Sequence, residues 1–378
     1  MKTKTLIILV VLAILGIGGF LVWKNGSGSE TGKTEKPTEK IMEVEKLEMP
    51  ETGKTKTDEG KTEEEICIYK GIWLPTLTVQ DPNHLASNIE KLKDLGVNTV
   101  FFQASDPLSE SWFENFEKTS PPELVKRVRE VLLIEKELII ANIQTAHRNG
   151  LKVGLTMSSP SGMEDVDLEA LNSKIVEYAT LAEEYDVELF APMNEPEVIL
   201  GSDTGRWRQE ILPKIKAVYH GDIVWKGTGP GLPDKTRTAN MAKQSPGDFA
   251  GYDYIGFSLM FIPKERLTPE EQLNYADMLT LEDYSQHVEL AIDYGLALAE
   301  RDGVKGLMIT EFGIYDKGFL SEEEIARTYE IVLEEGEGRV VGFIAFELLR
   351  VEIPGVPPLE EHPKTQEVIK KWFTEILK

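Results

Sequence analysis

Cysteine is almost missing from this sequence, and its scarcity removes several chemistries at once. Cys67 stands alone in 378 residues, so no intramolecular disulfide can form and no cysteine-ligated zinc or iron–sulfur centre can be built. Histidine is sparse as well: His84, His147, His220, His287 and His362 are scattered, with no HxxxH pair to grip a metal ion. No metal site is therefore expected. Positive charge is also in deficit, with 41 Lys+Arg against 65 Asp+Glu and a net charge of −24. Such a surface repels phosphate backbones, and no local basic patch offsets it, so nucleic acid is not an expected partner. A neutral or cationic ligand is easier to accommodate.

What the sequence does have is core-forming material. Hydrophobic residues make up 41% and charged residues 28%, which suits a globular protein with a sizeable interior and argues against wholesale disorder. Length alone suggests two or three domains, but a barrel of ~250 residues routinely forms one. Abundant Lys and Glu with a single Cys fits a thermophile's composition.

Three regions follow from composition. Residues 6–23 (LIILVVLAILGIGGFLVW) carry no charge, and at ~1.5 Å per residue they nearly span a ~30 Å hydrocarbon core. Lys2 and Lys4 precede the run, Lys24 closes it, and Trp23 sits where an interfacial aromatic belongs. No small-residue cleavage site follows, so residues 1–24 are expected to be an uncleaved signal anchor rather than a removed signal peptide or a buried core helix. The expected localisation is the cell membrane, single-pass, with the large domain extracellular. Residues 25–65 form a low-complexity linker in which ETGKTEK returns as ETGKTKT; little apolar surface is available there to offset ordering entropy. The GKT triplets are not phosphate loops, because Ser27, Glu48 and Thr55 stand where the motif needs glycine.

Residues 66–378 alternate strand and helix. Apolar, β-branched runs at 67–74, 97–103, 151–157, 187–193, 222–228, 252–260, 305–311 and 340–347 read as strands covered on both faces. Helical spacing fills the intervals: Leu85, Ile89, Leu92 and Leu95 precede Gly96, and helices also fit 122–148, 206–219, 282–300, 322–335 and 364–377. Eight βα units make the fold class α/β, a single (β/α)₈ TIM barrel behind the anchor helix and disordered linker. A doubly wound open sheet is the rival, and Trp73-Leu74-Pro75 after the first strand is not its glycine-rich phosphate loop.

A barrel places its chemistry at strand C-terminal ends. Two glutamates stand there: Glu195 in APMNEPE after the fourth strand, and Glu311 in MITEFG after the seventh. Paired carboxylates are what glycosidic hydrolysis needs, one as acid and one as nucleophile or base. The NEP of residues 194–196 and the TEFG of 310–313, at the fourth and seventh strands of eight, resemble the signature pair of clan A glycoside hydrolases, retaining β-glycosidases on a (β/α)₈ barrel. With the opening KGIWLP, residues ~68–377 are most similar to family 113, the endo-β-mannanase type. The resemblance implies Glu195 as general acid/base, Glu311 as nucleophile and Asn194 as the residue that holds the substrate's 2-hydroxyl. It also implies a β-linked polysaccharide or oligosaccharide substrate, of β-mannan or β-glucan type, and no cofactor.

The sequence departs from that pattern twice. Met260 occupies the place of a sixth-strand tyrosine that hydrogen-bonds the nucleophile, and Phe346 stands for an eighth-strand tryptophan platform. Those departures motivate an alternative, a non-catalytic cell-surface carbohydrate-binding protein on a degenerate barrel. Trp73, Trp225 and Tyr315 are further stacking residues for sugar rings, and Gln103 is a donor or acceptor for a hydroxyl; core packing or capping is the plainer reading of each. Ser158, Ser159 and Ser161 lack a nucleophile elbow. Gly227–Gly231 suits a loop better than a dinucleotide site. Lys226 is read as solvating the rim in preference to binding an anion, and Asp106 and Glu347 as solvated rim acids in preference to members of a sugar subsite or a divalent-ion site.

Overall fold

All eight apolar runs form strands, and the strands close into one barrel. In the computed structural model the described residues are 67–74, 82–104, 122, 136–157, 167–229, 249–261, 280–314, 320–346 and 362–377. The expected anchor and linker lie outside them. Among the described residues no helix is long and apolar enough to cross a membrane.

The strands are β1 (Tyr69–Leu74), β2 (Thr99–Ala104), β3 (Lys152–Met157), β4 (Leu189–Ala191), β5 (Asp222–Thr228), β6 (Tyr254–Phe261), β7 (Gly306–Ile314) and β8 (Gly342–Ala345). All neighbouring pairs are parallel and β8 returns to β1. The helices are α1 (Pro82–Asp94), α2 (Lys136–Arg148), α3 (Leu168–Glu184), the single turn α4 (Glu197–Leu200), α5 (Thr204–Lys216), α6 (Leu281–Asp302), α7 (Glu322–Gly336) and α8 (Pro363–Lys371). Their ends obey local chemistry. Asp167 accepts from the Glu169 and Ala170 amides to start α3. Ser321 and Glu324 form a reciprocal capping box on α7. Gly303 closes α6 in the left-handed conformation, φ 68°.

Strand alternation sorts the side chains into two layers. Along β1, Ile72 and Leu74 join the large outer core shared with the helices, while Trp73 joins the inner cluster with Phe101, Leu189, Val224, Met260, Met308 and Phe346. Glycines make room inside: a Cβ on Gly154 would lie 2.5 Å from the Phe101 ring. The interior is a packed core, not a pore.

The inner cluster is stoppered at the N-terminal ends of the strands by polar groups. Tyr69 and Tyr254 donate their hydroxyls to Asp222 Oδ2 at 3.1 and 3.4 Å. Lys305 bridges Asp222 and Asp253 at 2.6 and 2.9 Å. Burial, reinforced by the neighbouring Tyr254 and Asp222, raises the Tyr69 hydroxyl far above its ordinary range, so it serves as a fixed donor.

One irregularity bears directly on the site. Phe257 pairs with Ile309, but the next residue, Ser258, pairs with Glu311, leaving Thr310 as an extra residue in β7. Against β8 the same interruption falls between Ile309 and Phe312. Met308 lies in the inner cluster, and Ile309 and Phe312 in the outer core. Strict alternation after Met308 would send Glu311 outward. The bulge resets the phase, so Glu311 faces the barrel axis. Gly256 is the space that admits it: a Cβ there would lie 2.4 Å from Thr310 Cγ2 and 2.7 Å from the Trp225 carbonyl oxygen.

Candidate active site

A single buried ammonium organises the C-terminal mouth of the barrel. In β5, Val224 faces the interior and Trp225 the outer layer, so alternation turns Lys226 inward, where it is 0% exposed. Its Nζ donates to Glu311 Oε2 at 2.7 Å and to Asn194 Oδ1 at 2.5 Å. A longer contact of 3.4 Å reaches Ser258 Oγ, the residue in register with Glu311. The ammonium also lies 4.3 Å from the centroid of the Trp73 ring, a cation–π distance. An ammonium has three N–H groups and no acceptor. Two therefore serve Glu311 and Asn194, and the third points toward the serine.

The backbone of Lys226 ties in the other glutamate. Asn194 N donates to the Met157 carbonyl at 2.8 Å, continuing the β3–β4 pairing past the end of the strand. Glu195 N then crosses to the Lys226 carbonyl at 2.9 Å. To make that turn Glu195 takes φ +46°, a left-handed conformation unusual outside glycine and asparagine. Strain of this kind costs roughly 1–3 kcal/mol and persists where the surroundings over-determine it. Pro196, with φ −60°, then starts the short helix α4. Glu195 and Glu311 are both nearly buried, at 8% and 5% exposure. Sequence reasoning thus names three of the residues brought together here, Asn194, Glu195 and Glu311, and the structure unites them through a fourth.

That fourth residue corrects an expectation. Lys226 does not solvate the rim; it is inside the barrel, paired with a carboxylate. The hydrogen bond to Glu311 that Met260 cannot give comes from Lys226 in β5. Met260 sits in the inner cluster and pairs in register with Gly313, two residues beyond Glu311. A lysine two residues after Val224, on the same side of the strand in a buried run, is the signal that points to it.

The other expected site residues divide. Trp73 is buried at 1% exposure, with its ring against Lys226 and Phe101; it supports the ammonium. Gln103 is buried at the end of β2, in register with Thr156. Phe346 is buried beside β8, its carbonyl accepting from Tyr329 Oη at 2.9 Å. Trp225 is not brought to the mouth. It packs in the outer layer against Trp207, Phe249 and Tyr252. Tyr315, like Asp106, Glu347 and the serines 158, 159 and 161, lies outside the described residues.

Trp225 instead supports a third buried carboxylate, Glu197, which the sequence motifs did not single out. Glu197, the first residue of α4, accepts from Trp225 Nε1 at 3.0 Å and from the Thr228 amide at 3.3 Å. Gly227 leaves room for it, since a Cβ there would lie 2.7 Å from Glu197 Oε1. Burial raises the Glu197 carboxyl above its ordinary value, with the Arg208 charge opposing most strongly. Arg208 is itself fully buried, its guanidinium 4.2 and 4.0 Å from the Trp225 and Phe249 rings. Glu197 therefore clamps the chain after Glu195 to the end of β5.

No family model and no curated protein sequence matches this chain. Solved structures do. The fold is similar to that of a GH113 β-mannanase from Alicyclobacillus acidocaldarius, with 14% identity, a TM-score of 0.56, and 83% of this chain and 100% of that one covered. An endo-β-1,4-mannanase from Thermotoga petrophila aligns with 11% identity and a TM-score of 0.58, covering 84% of this chain and 78% of that one. An endoglucanase gives 14% identity and a TM-score of 0.52, with 80% and 97% covered. The resemblance read from the NEP and TEFG motifs, to the family 113 mannanase type, thus has its counterpart among these neighbours. At such identities the likeness is one of fold.

Proposed function

We propose that this chain is a retaining glycoside hydrolase acting on a β-linked polysaccharide or oligosaccharide of β-mannan or β-glucan type. The observation that carries the reading is the junction of Asn194 and Glu311 on one ammonium, with Glu195 bonded to the same residue's carbonyl. The fold neighbours support it, since those named above are mannanases and an endoglucanase.

In this reading a Glu311 oxygen attacks the anomeric carbon while the glycosidic C–O bond breaks. Glu195 gives its proton to the departing oxygen. The resulting glycosyl ester is then opened by water: Glu195 takes the water's proton, the water oxygen bonds the anomeric carbon, and Glu311 leaves as carboxylate. Asn194 holds the 2-hydroxyl throughout. We also propose that residues 6–23 tether the enzyme to the cell membrane with the barrel outside, a reading supported by their uninterrupted apolar composition.

The test uses the full chain in mild detergent, beside Glu311→Ala, on β-mannan, β-glucan, β-galactan and xylan. New reducing ends from the parent, with turnover reduced roughly 10⁴-fold in the variant and the fold intact, are expected. Proton NMR of the first product should show the β-anomer. An initial α-product would establish inversion and remove Glu311 from the nucleophile's role. Saturable binding without any release would support the carbohydrate-binding alternative that Met260 and Phe346 raise.

A further inference from the structure

We propose that Lys226 is the positioning residue of this site: by donating to Glu311 Oε2 and Asn194 Oδ1 together, its ammonium keeps the nucleophile anionic and fixes which end of the Asn194 amide meets the sugar. The proposal rests on the glycosidase reading and adds what that reading lacks, a donor for the nucleophile where Met260 cannot serve.

The argument begins with donor arithmetic. An ammonium can only donate. The Asn194 atom facing Nζ must therefore be the carbonyl oxygen. The Asn194 NH₂ group is then turned away from Lys226, available as a donor to a substrate hydroxyl. Without the lysine, nothing in that contact distinguishes the two amide orientations. The same ammonium lies 2.7 Å from the carboxylate that has to be charged to attack. An adjacent cation favours that charged form.

The surroundings leave Lys226 little freedom to do anything else. From β1, the Trp73 ring covers it; from β6, Ser258 faces it; from β7, Glu311 pairs with it; from the end of β4, Asn194 and the Glu195 amide meet its side chain and carbonyl. The titratable groups among these are Glu311 and Glu195. On the outer side of β5, Glu197 and Arg208 lie across Trp225. A buried ion pair is a poor way to gain stability compared with apolar packing, whereas one cation shared between two site residues is an economical way to fix their relative geometry.

The consequence is that one substitution should change two properties that a mere strut would not touch. The experiment uses the full chain with an aryl β-glycoside of the sugar the parent hydrolyses, and its 2-deoxy counterpart. Lys226→Met is expected to lower kcat at least 100-fold with KM within threefold, to move the acid limb of the kcat/KM profile upward by a pH unit or more, and to shrink the penalty for 2-deoxy substrate at least tenfold. Lys226→Arg keeps the charge and should keep the acid limb within half a unit, even at reduced rate. A folded Lys226→Met with parental acid limb and parental 2-deoxy discrimination overturns the proposal. So does a displaced acid limb in Lys226→Arg, the variant to rely on if the methionine form does not fold.

A parent inactive on every glycoside would sink the glycosidase reading by itself. The lysine's role is then read from ¹³C NMR of labelled glutamate, with the Glu311 signal assigned by its loss in Glu311→Gln. Titration of that signal at higher pH in Lys226→Met than in the parent upholds the coupling, and unchanged titration overturns it.

Discussion

The two ends of this barrel each hold a lysine against carboxylates, and the two are built for different work. At the N-terminal end Lys305 bridges Asp222 and Asp253 with its side chain 56% exposed. At the C-terminal end Lys226 meets Glu311 with the two side chains 0% and 6% exposed. The first group is partly open to water, with Lys305 more than half exposed and its two aspartates 27% and 24% exposed, and it closes the bottom of a packed interior. The second has lost its hydration, which costs several kcal/mol per ion and is only partly repaid by attraction at close range. An exposed pair is cheap and nearly neutral. A buried one needs a reason beyond stability, and here the reason is the geometry of Asn194, Glu195 and Glu311.

Breaking the buried pair is the sharpest way to test that contrast. Lys226→Ala leaves Glu311 buried without its cation and should cost about 3–5 kcal/mol of unfolding free energy at pH 7. Replacing both partners, as Lys226→Met with Glu311→Gln, should recover most of that loss while activity stays abolished. Urea denaturation of the three chains measures it, and a double variant no more stable than Lys226→Ala would refute the desolvation account.

Next in size is the bulge that turns Glu311 inward. Gly256→Ala forces a methyl into Thr310 and the Trp225 carbonyl. An overpacking cost of about 1–3 kcal/mol is expected, with a loss of turnover larger than the loss of stability, because β7 must shift at the nucleophile. Thermal unfolding together with kcat checks both halves.

Glu197 gives a pH-dependent test. Its carboxyl is raised by burial, so its stabilising contribution is fully present below its unfolded value of about 4.3 and is lost as pH rises through the folded value. The stability gap between the parent and Glu197→Gln should therefore be largest near pH 4 and should narrow toward neutrality. A gap that widens with pH would reverse the assigned sign.

The smallest effect belongs to the exposed end. Lys305→Ala should cost no more than about 1 kcal/mol, and less in high salt. Its hydrogen bonds to Asp222 and Asp253 raise the Lys305 ammonium above its ordinary range. That contribution is present below the unfolded value of about 10.4 and fades only as pH climbs through the higher folded value. Denaturation midpoints at pH 7 and in strong alkali, at two salt concentrations, would show it.

Much of this architecture is legible from residue order. Continuous apolar runs at regular intervals announce parallel strands covered on both faces, and each one forms. Asn194, Glu195 and Glu311 are legible because polar residues directly after such runs must emerge at one end of a barrel. Lys226 misleads because a lysine near a glycine-rich stretch ordinarily solvates. Its burial depends on which face of β5 turns inward, and that follows from closure with β4 and β6. Trp225, one residue earlier, misleads in the opposite sense: an aromatic in a strand of an expected sugar-binding barrel belongs here to the outer layer, where it holds Glu197.

Sequence by itself determines the periodicities, and with them the eight strands, their covering helices and the ends at which polar residues collect. Those are local facts, set by how side chains alternate along a strand or recur around a helix. Only the tertiary structure decides that β7 carries an extra residue, that Gly256 makes room for it, and that a lysine from β5 donates to Glu311. These depend on register between strands distant in the chain. A one-residue change of register exchanges inside for outside, and no single strand's sequence contains that information.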